Sequence, residues 1–207
     1  MPLARTYNPV TGHIGSTMMD VYQDRAHKKS DIREYLPYFY RLARAVTKPR
    51  ILELGSRRGN STVAFLAGAE ESGGHVWSGD LIDIVRAHPG PDGMGPWSRH
   101  PQWTFIQGDD LDPAVQAKLP HQLDIFFLDT SHEYELTLAE LRAYMPRVKP
   151  GGIALFHDTK LYNWTGYRWT GKVPPVQQAL DDYCAETGLE WRECEIDGRF
   201  GLGVIEA

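Results

Sequence analysis

Short runs of apolar residues alternate along the chain with stretches in which apolar residues recur every three or four positions. Runs of about four to eight apolar residues are typical of buried strands, and the three-to-four spacing is typical of helices. The most apolar run is Leu123-Asp124-Ile125-Phe126-Phe127-Leu128, as expected for a parallel strand that is covered on both faces. The pattern predicts five strands at 50–55, 75–81, 103–107, 123–128 and 153–156.

Helices are predicted between these strands. Apolar spacing predicts a helix from Asp31 to Val46, with Asp31 and Glu34 placed as a capping box. Asn60-Ser61-Thr62 has the residue types that cap helices, so a second helix is expected to begin there. Further helices are predicted over 134–145 and 175–185.

The alternation of strands and helices predicts an α/β fold with a doubly wound, Rossmann-like and mostly parallel sheet. Two more runs, 190–196 and 200–205, flank Asp197-Gly198-Arg199, and an Asp-Gly turn is typical of a hairpin. We therefore expect a seven-stranded sheet with an antiparallel hairpin at its C-terminal end. The domain should span residues 31–207, after an irregular, polar N-terminal extension at 1–30.

Composition narrows the class of protein. The chain is 42% hydrophobic and 24% charged, which is typical of a globular domain. A net charge of −5 argues against a nucleic-acid binder, and the basic run from Arg25 to Lys29 is interpreted as a solvated helix end. No signal peptide and no apolar run of roughly 18 residues is present, so we expect a cytoplasmic protein that does not enter membranes. The expected partner is a small-molecule substrate, and a homodimer is one option.

The loop after the first strand reads Glu53-Leu54-Gly55-Ser56-Arg57-Arg58-Gly59-Asn60-Ser61. Ligands of open α/β sheets bind at the carboxyl ends of strands, and glycines let the backbone turn tightly and approach a ligand. The glycines do not have the GxGxxG spacing of a dinucleotide site. The Glu53 carboxylate would repel pyrophosphate and suits the cationic amino-acid end of S-adenosylmethionine. Taken alone, the loop is also compatible with an ordinary strand–helix turn.

Two further strand ends carry acids. Asp80, followed by Leu81, ends the second strand, where an acid can accept hydrogen bonds from both ribose hydroxyls. Gly108-Asp109 follows the third strand, and Asp109 could accept the adenine amino hydrogen, with Asp110 as its competitor. Turn formation is the structural alternative for both acids.

The glycine loop, Asp80 and Gly108-Asp109, in this order, resemble the class I S-adenosylmethionine-dependent methyltransferases over roughly residues 31–207. The resemblance implies S-adenosylmethionine as the cofactor of a methyltransferase. The cofactor-binding residues it implies are Glu53, Gly55, Ser56, Gly59, Asn60, Ser61, Asp80, Leu81, Gly108, Asp109 and Asp129.

Asp129 ends the fourth strand and Asp158 the fifth, so their carboxylates should lie close together. Such a pair repels unless a proton or a cation intervenes, and oxygen ligands favour Mg²⁺. The metal would lower the pKa of a substrate hydroxyl, and His132 could take its proton. The structural alternatives are a helix-capping Asp129 and a satisfied His132, and His157 is interpreted as structural.

This Asp-x-x-His followed by a strand-end Asp resembles the metal-dependent O-methyltransferases of macrolide sugars and the related cephalosporin hydroxylase group. The resemblance implies Asp129 and Asp158 as Mg²⁺ ligands, and Asp129 and His132 as catalytic residues for O-methylation of a sugar or natural-product hydroxyl. Those enzymes place Asp or Asn directly after the later acid, where this chain has Thr159. Four rings in 160–173 are expected either to shape the substrate pocket or to pack on the core: Tyr162, Trp164, Tyr167 and Trp169.

The same residues are compatible with other functions. His132, His157 and one carboxylate could bind Fe(II) as a facial triad, which would indicate an oxygenase or hydroxylase. A non-catalytic S-adenosylmethionine-binding module is a further alternative. A dehydrogenase is disfavoured by the glycine spacing and by Glu53.

Overall fold

A computed structural model describes residues 17–90, 92–164 and 167–207 of the chain. In these ranges the predicted seven-stranded, mostly parallel sheet is confirmed. The bounds of its strands are β1 Arg50–Leu54, β2 His75–Asp80, β3 Trp103–Gln107, β4 Leu123–Leu128, β5 Val148–His157, β8 Trp191–Glu193 and β9 Leu202–Glu206. The strand order is β3-β2-β1-β4-β5-β9-β8, in which β1 to β5 run parallel and β9 is antiparallel to both β5 and β8.

Helices cover both faces of the sheet. Short 3-10 turns lie at Arg33–Tyr35, Gly95–Trp97 and Met145–Arg147, and a separate hairpin pairs β6 (Asn163–Trp164) with β7 (Tyr167–Arg168). No helix in the described ranges is both long and apolar enough to cross a bilayer. The helices are α1 Met18–His27, α2 Leu36–Ala45, α3 Asn60–Ser72, α4 Ile84–Ala87, α5 Pro113–Gln116, α6 Tyr134–Tyr144 and α7 Pro175–Thr187.

The period of two along the central strands divides the core into two clusters. Ile51 of β1 and Phe127 of β4 pack into the cluster that holds α1, α2 and α3. Leu52, which follows Ile51, and Phe126, which precedes Phe127, pack into the cluster that holds α6 and α7. Successive strand side chains point to opposite faces, so Glu53 shares the face of Ile51 and lies under α3.

Two predictions about the N-terminal part are wrong. Residues 18–27, expected to be irregular, form α1, which begins with a capping box between Thr17 and Asp20 and buries Met18 and Tyr22. The predicted capping box at Asp31 and Glu34 does not form, because a 3-10 turn without a side-chain cap precedes α2. Residues 1–16 of the predicted extension lie outside the described part of the chain.

The C-terminal strands also differ in extent. Strand β5 begins at Val148 instead of Ile153. Pro150-Gly151-Gly152 does not form the expected turn before the strand but is part of it, at a register shift against β4. The final hairpin is antiparallel as predicted, but β8 ends at Glu193 and β9 begins at Leu202. Asp197-Gly198-Arg199 therefore lies within a wider loop and is not a two-residue turn.

The close contact between α2 and α3 depends on Gly68. A Cβ added there would lie 2.5 Å from the Tyr40 carbonyl oxygen and 2.7 Å from the Ala43 Cβ. We predict that Gly68→Ala lowers the free energy of unfolding by about 1 to 3 kcal/mol, although alanine is the better helix former. Urea unfolding measures the change. Gly90→Ala is the control, because its added Cβ meets nothing within 4 Å. Equal free energies of unfolding for Gly68→Ala and the wild type would contradict the close packing of α2 and α3.

Candidate functional site

The candidate site lies where β1 meets β4, at the point where the strand order reverses. Such switch points are the usual ligand sites of open α/β sheets. The Asp129 amide donates to the Leu54 carbonyl over 2.9 Å, and the Gly55 amide donates to the Gly79 carbonyl over 2.9 Å. The glycine loop and the end of β4 are therefore joined directly through the backbone.

Both predicted glycines are required by the backbone. Gly55 has a φ of +85°, and a Cβ there would overlap the Asp129 carbonyl oxygen. Gly59 has a φ of +77°, and its Cβ would overlap the Met94 side chain. Residues with side chains rarely adopt this left-handed conformation, so a substitution at either glycine is strained, and one at Gly55 would also push the loop away from Asp129.

Glu53 lies beneath the loop and is fully buried. Its carboxylate accepts hydrogen bonds from the Ser61 hydroxyl, from the Thr62 hydroxyl at 2.5 Å and from the Ser78 hydroxyl at 2.7 Å. Burial raises the pKa of Glu53 to about 7, although the three hydroxyls act to lower it and Asp129 acts to raise it. Its direct contact with a cofactor stays a prediction, because Glu53 does not line the adjacent cavity.

The start of α3 differs from the sequence prediction. The N-cap is Gly59 and no side chain caps the helix, so the predicted capping by Asn60-Ser61-Thr62 is wrong. Ser61 and Thr62 donate to Glu53 instead. The first N–H groups of a helix carry partial positive charge, and here they are left to face the loop.

A cavity of about 560 Å³ opens above the loop, which is the size of a small-molecule site. It brings together five of the predicted site residues with the segment before α2 and the turn before β9. The lining residues are Lys29, Ser30, Asp31, Ile32, Arg33, Glu34, Gly55, Ser56, Arg57, Arg58, Asn60, Ser61, Asp129, Arg199 and Phe200.

The predicted ribose acid, Asp80, is not among the residues that line this cavity. The Asp80 carboxylate accepts the Arg57 amide at 2.8 Å and the Ile82 amide at 3.0 Å, so it fixes the loop. Leu81 beside it is 70% exposed. Gly108 donates its amide to the Asp80 carbonyl over 2.9 Å, which places the ends of β2 and β3 side by side. The ribose contact of Asp80 stays a prediction.

The two acids after Gly108 point in different directions. Asp109 is exposed, and its carboxylate accepts the Leu111 amide at 2.9 Å. Asp110 turns inward, where burial raises its pKa to about 6. It faces Glu140, whose pKa is raised to about 9 by burial and by Asp110. Of the two, Asp109 is therefore the acid that presents its carboxylate at the surface, and its adenine contact stays a prediction.

Asp129, His132 and Asp158 do meet at the ends of β4 and β5. One ligand atom from each lies within 4.8 Å of the others. His132 Nδ1 is 3.2 Å from Asp158 Oδ2. His132 and Asp158 have φ values of +63° and +65°, which are uncommon for side-chain-bearing residues and cluster at functional sites.

His157 holds the two acids together. Its Nδ1 is 3.1 Å from Asp129 Oδ1 and 2.9 Å from Asp158 Oδ2. Burial acts to lower the pKa of His157, but Asp129 and Asp158 raise it well above its ordinary value. Burial acts to raise the pKa of Asp129, but the charge and hydrogen bond of His157 lower it. The His157 ring thus bridges the two carboxylates.

Two ligand predictions can be compared with this geometry. The Thr159 hydroxyl donates to Glu193 at 2.8 Å, so it does not point toward the two acids. In the described part of the chain, the cluster that could hold a metal contains two carboxylates and His132 but not His157. Both histidines contact Asp158, so the two-histidine facial triad for Fe(II) stays a prediction.

Sequence reasoning missed Arg25, which it interpreted as part of a solvated helix end. Arg25 is only 4% exposed, and its guanidinium donates to the Asn60 side chain at 2.6 Å and to the Arg58 carbonyl at 3.3 Å. It clamps the glycine loop from the side of α1. The helical spacing of Met18, Tyr22 and Arg25 is the signal that could have revealed a buried face.

The aromatic stretch after β5 packs on the protein itself. Trp169 stacks on Tyr134 with ring centroids 5.5 Å apart, and its indole donates to the Val173 carbonyl at 2.5 Å. Tyr162 is 47% exposed. The Trp164 side chain falls outside the described residues. Tyr162, Tyr167 and Trp169 are not among the described residues that line the cavity, and the role of the aromatic stretch in a substrate pocket stays a prediction.

Comparisons with known proteins agree on one family and one fold. A family model described as a methyltransferase domain matches residues 52–159. An S-adenosylhomocysteine-bound methyltransferase of Podospora anserina is 16% identical, with a TM-score of 0.64 and coverage of 93% of this chain and 88% of that one. An O-methyltransferase of Bacillus cereus, also with S-adenosylhomocysteine, is 17% identical, with a TM-score of 0.65 and coverage of 92% and 90%.

A third structure is the O-methyltransferase of Streptomyces achromogenes involved in tomaymycin synthesis, bound to S-adenosylmethionine. It is 12% identical, with a TM-score of 0.62 and coverage of 91% of this chain and 89% of that one. At these identities the likeness shows the fold. A curated relative, an uncharacterized protein of Acanthamoeba polyphaga mimivirus, is 29% identical over 68 residues, which are 33% of this chain and 28% of that protein.

The buried Glu53 predicts a pH-dependent stability. Its pKa in the folded chain, about 7, lies above the ordinary 4.5, so the folded state holds more protons between these values. Stability should therefore fall as pH rises from about 4.5 to about 7, by up to about 3 kcal/mol from this group. We expect Glu53→Gln to remove this contribution, so that its stability falls less steeply with pH than that of the wild type in urea unfolding. The exposed Glu135→Gln is the control, and parallel profiles for wild type and Glu53→Gln would contradict the assignment.

Proposed function

The chain belongs to the methyltransferase domain family, and we propose that it transfers the methyl group of S-adenosylmethionine to a hydroxyl oxygen of a small molecule, such as a sugar or a natural product. One observation carries the proposal. Asp129 lines the cavity above the glycine loop and also lies within 4.8 Å of His132 and Asp158. The candidate cofactor site and the candidate reaction centre therefore share a residue.

The residues present fit S-adenosylmethionine. The uncapped start of α3 offers N–H groups to the cofactor carboxylate. Gly55, Ser56, Asn60 and Ser61 line the cavity beside it, and Glu53 acts from below through its hydrogen bond with Ser61. We assign the ribose to Asp80 and the adenine to Asp109, with Leu81 and Gly108 beside them. The two O-methyltransferases of the same fold, bound to S-adenosylhomocysteine and S-adenosylmethionine, support this cofactor.

The reaction centre also fits a divalent cation such as Mg²⁺. Asp129 and Asp158 would hold it through carboxylate oxygens, the ligands that Mg²⁺ prefers. When bound, such a cation lowers the pKa of a hydroxyl that it coordinates. The third ligand does not come from Thr159, whose hydroxyl is directed at Glu193.

The chain's own residues orient the acceptor and take its proton. His132 Nδ1 faces Asp158, so Nε2 is the atom that accepts the hydroxyl proton. The acceptor oxygen then forms a bond to the methyl carbon as the bond from that carbon to sulfur breaks, which releases S-adenosylhomocysteine. Because no covalent enzyme intermediate is needed, alignment of the two substrates supplies much of the rate enhancement.

Calorimetry tests the cofactor. We expect S-adenosylmethionine to bind the purified chain and NAD⁺ not to bind, because the glycine spacing and Glu53 do not suit a pyrophosphate. Each titration is run with and without Mg²⁺. If S-adenosylmethionine does not bind under either condition, the proposed function is wrong.

Substitution tests the reaction centre separately. We expect His132→Ala and Asp158→Ala to lower the methyl-transfer rate by about 100-fold to 10,000-fold while affinity for S-adenosylmethionine changes little. Radiolabelled methyl transfer to a panel of phenols and glycosides measures the rate, and calorimetry measures the affinity. The exposed His121→Ala is the control. Unchanged turnover in either variant removes that residue from the mechanism.

A further inference from the structure

The cavity has an unequal distribution of charge at its mouth. Its lining includes five cationic residues against three acids. Arg57 pairs with Asp31 at 3.0 Å, and Arg33 pairs with Glu34 at 2.7 Å. The third acid, Asp129, lies 3.1 Å from His157 Nδ1. Each acid of the lining therefore already has a basic partner.

Three cationic residues of the lining are left over. Across the described residues, Lys29, Arg58 and Arg199 have no carboxylate within salt-bridge distance. They converge on one cavity although the chain as a whole has a net charge of −5. A cluster of one sign at a concave site attracts ligands of the opposite sign.

We propose that the methyl acceptor carries an anionic group, a carboxylate or a phosphate, that binds between Lys29, Arg58 and Arg199 while its hydroxyl lies at Asp129 and His132. This inference rests on the proposed function. Guanidinium groups bind carboxylate and phosphate oxygens through paired hydrogen bonds, and a lysine adds a compact charge.

Phe200 connects the two ends of this binding mode. The Arg199 guanidinium lies 4.8 Å from the centre of the Phe200 ring, and that ring lies 6.4 Å from the His157 ring in an edge-on arrangement. His157 in turn contacts Asp129. Phe200 thus contacts both Arg199 and His157, and it lines the same cavity as the three cations and Asp129.

Lys29, Arg58 and Arg199 are exposed, so the preference for an anionic acceptor should depend on salt concentration. Exposed charge pairs contribute little one by one and are screened by salt over about 10 Å at 0.1 M ionic strength. Together they should favour an anionic acceptor over its neutral counterpart by about tenfold at low salt. The preference should shrink as salt is added, whereas a preference based on shape would not change.

The test uses matched pairs of hydroxylated probes that differ in charge: 3,4-dihydroxybenzoate with its methyl ester, and glucose 6-phosphate with glucose. Each is titrated by calorimetry into the full chain saturated with S-adenosylhomocysteine, so that the cofactor carboxylate is already bound. The variants are Lys29→Gln, Arg58→Gln and Arg199→Gln. Lys118→Gln, an exposed cation away from the cavity, is the control.

We expect one anionic probe or both to bind at least tenfold more tightly than the neutral partner, with the preference reduced by each variant and by salt but not by Lys118→Gln. The carboxylate and phosphate pairs show which anion is preferred. Equal binding within both pairs, including no binding by any probe, overturns the inference. Failure of the proposed function is seen separately, because S-adenosylhomocysteine itself would not bind and the probe titrations would then be run on the free chain.

Discussion

The hydrogen bond from the Asp129 amide to the Leu54 carbonyl is the contact on which the site depends. It continues the hydrogen-bond ladder between β1 and β4 one residue past the end of β4, so the two strands separate only after the glycine loop has begun. That close approach leaves no room for a Cβ at Gly55. The same contact brings the first acid of the reaction centre into the lining of the cofactor cavity.

Buried polar groups then hold the loop in place from two sides. Glu53 engages three hydroxyls from below, and Arg25 engages Asn60 and the Arg58 carbonyl from α1. An unsatisfied polar group in such a place costs roughly 1 to 3 kcal/mol, so each group favours the one loop conformation that satisfies it. The helix α1 is therefore part of the site, although none of its residues lines the cavity.

The spacing of apolar residues along the sequence predicted the strands and helices whose bounds depend on neighbouring residues alone. The bounds of β3 and β4 follow from short, mostly apolar runs, and the acids were found at the strand ends. Helix α1 was missed because its buried face has only Met18, Tyr22 and Arg25, and it is completed by stacking of Tyr22 on Tyr40 at 5.0 Å. The role of Ser61 and Thr62 depends on Glu53, a partner from another element that spacing does not reveal.

The bridging position of His157 was likewise out of reach, because it follows from register. Leu128 pairs with Phe156, so Asp129 and His157 come next on adjacent strands and their side chains share a face. His157 Nδ1 is therefore within 3.1 Å of both acids that the proposed cation would use. His157 and a divalent metal ion would therefore contact the same carboxylate oxygens, because metal ligands must give up their protons and hydrogen-bonded partners to bind. Either contact reduces the repulsion of Asp129 and Asp158, but only the metal ion would also act as a Lewis acid on the acceptor hydroxyl.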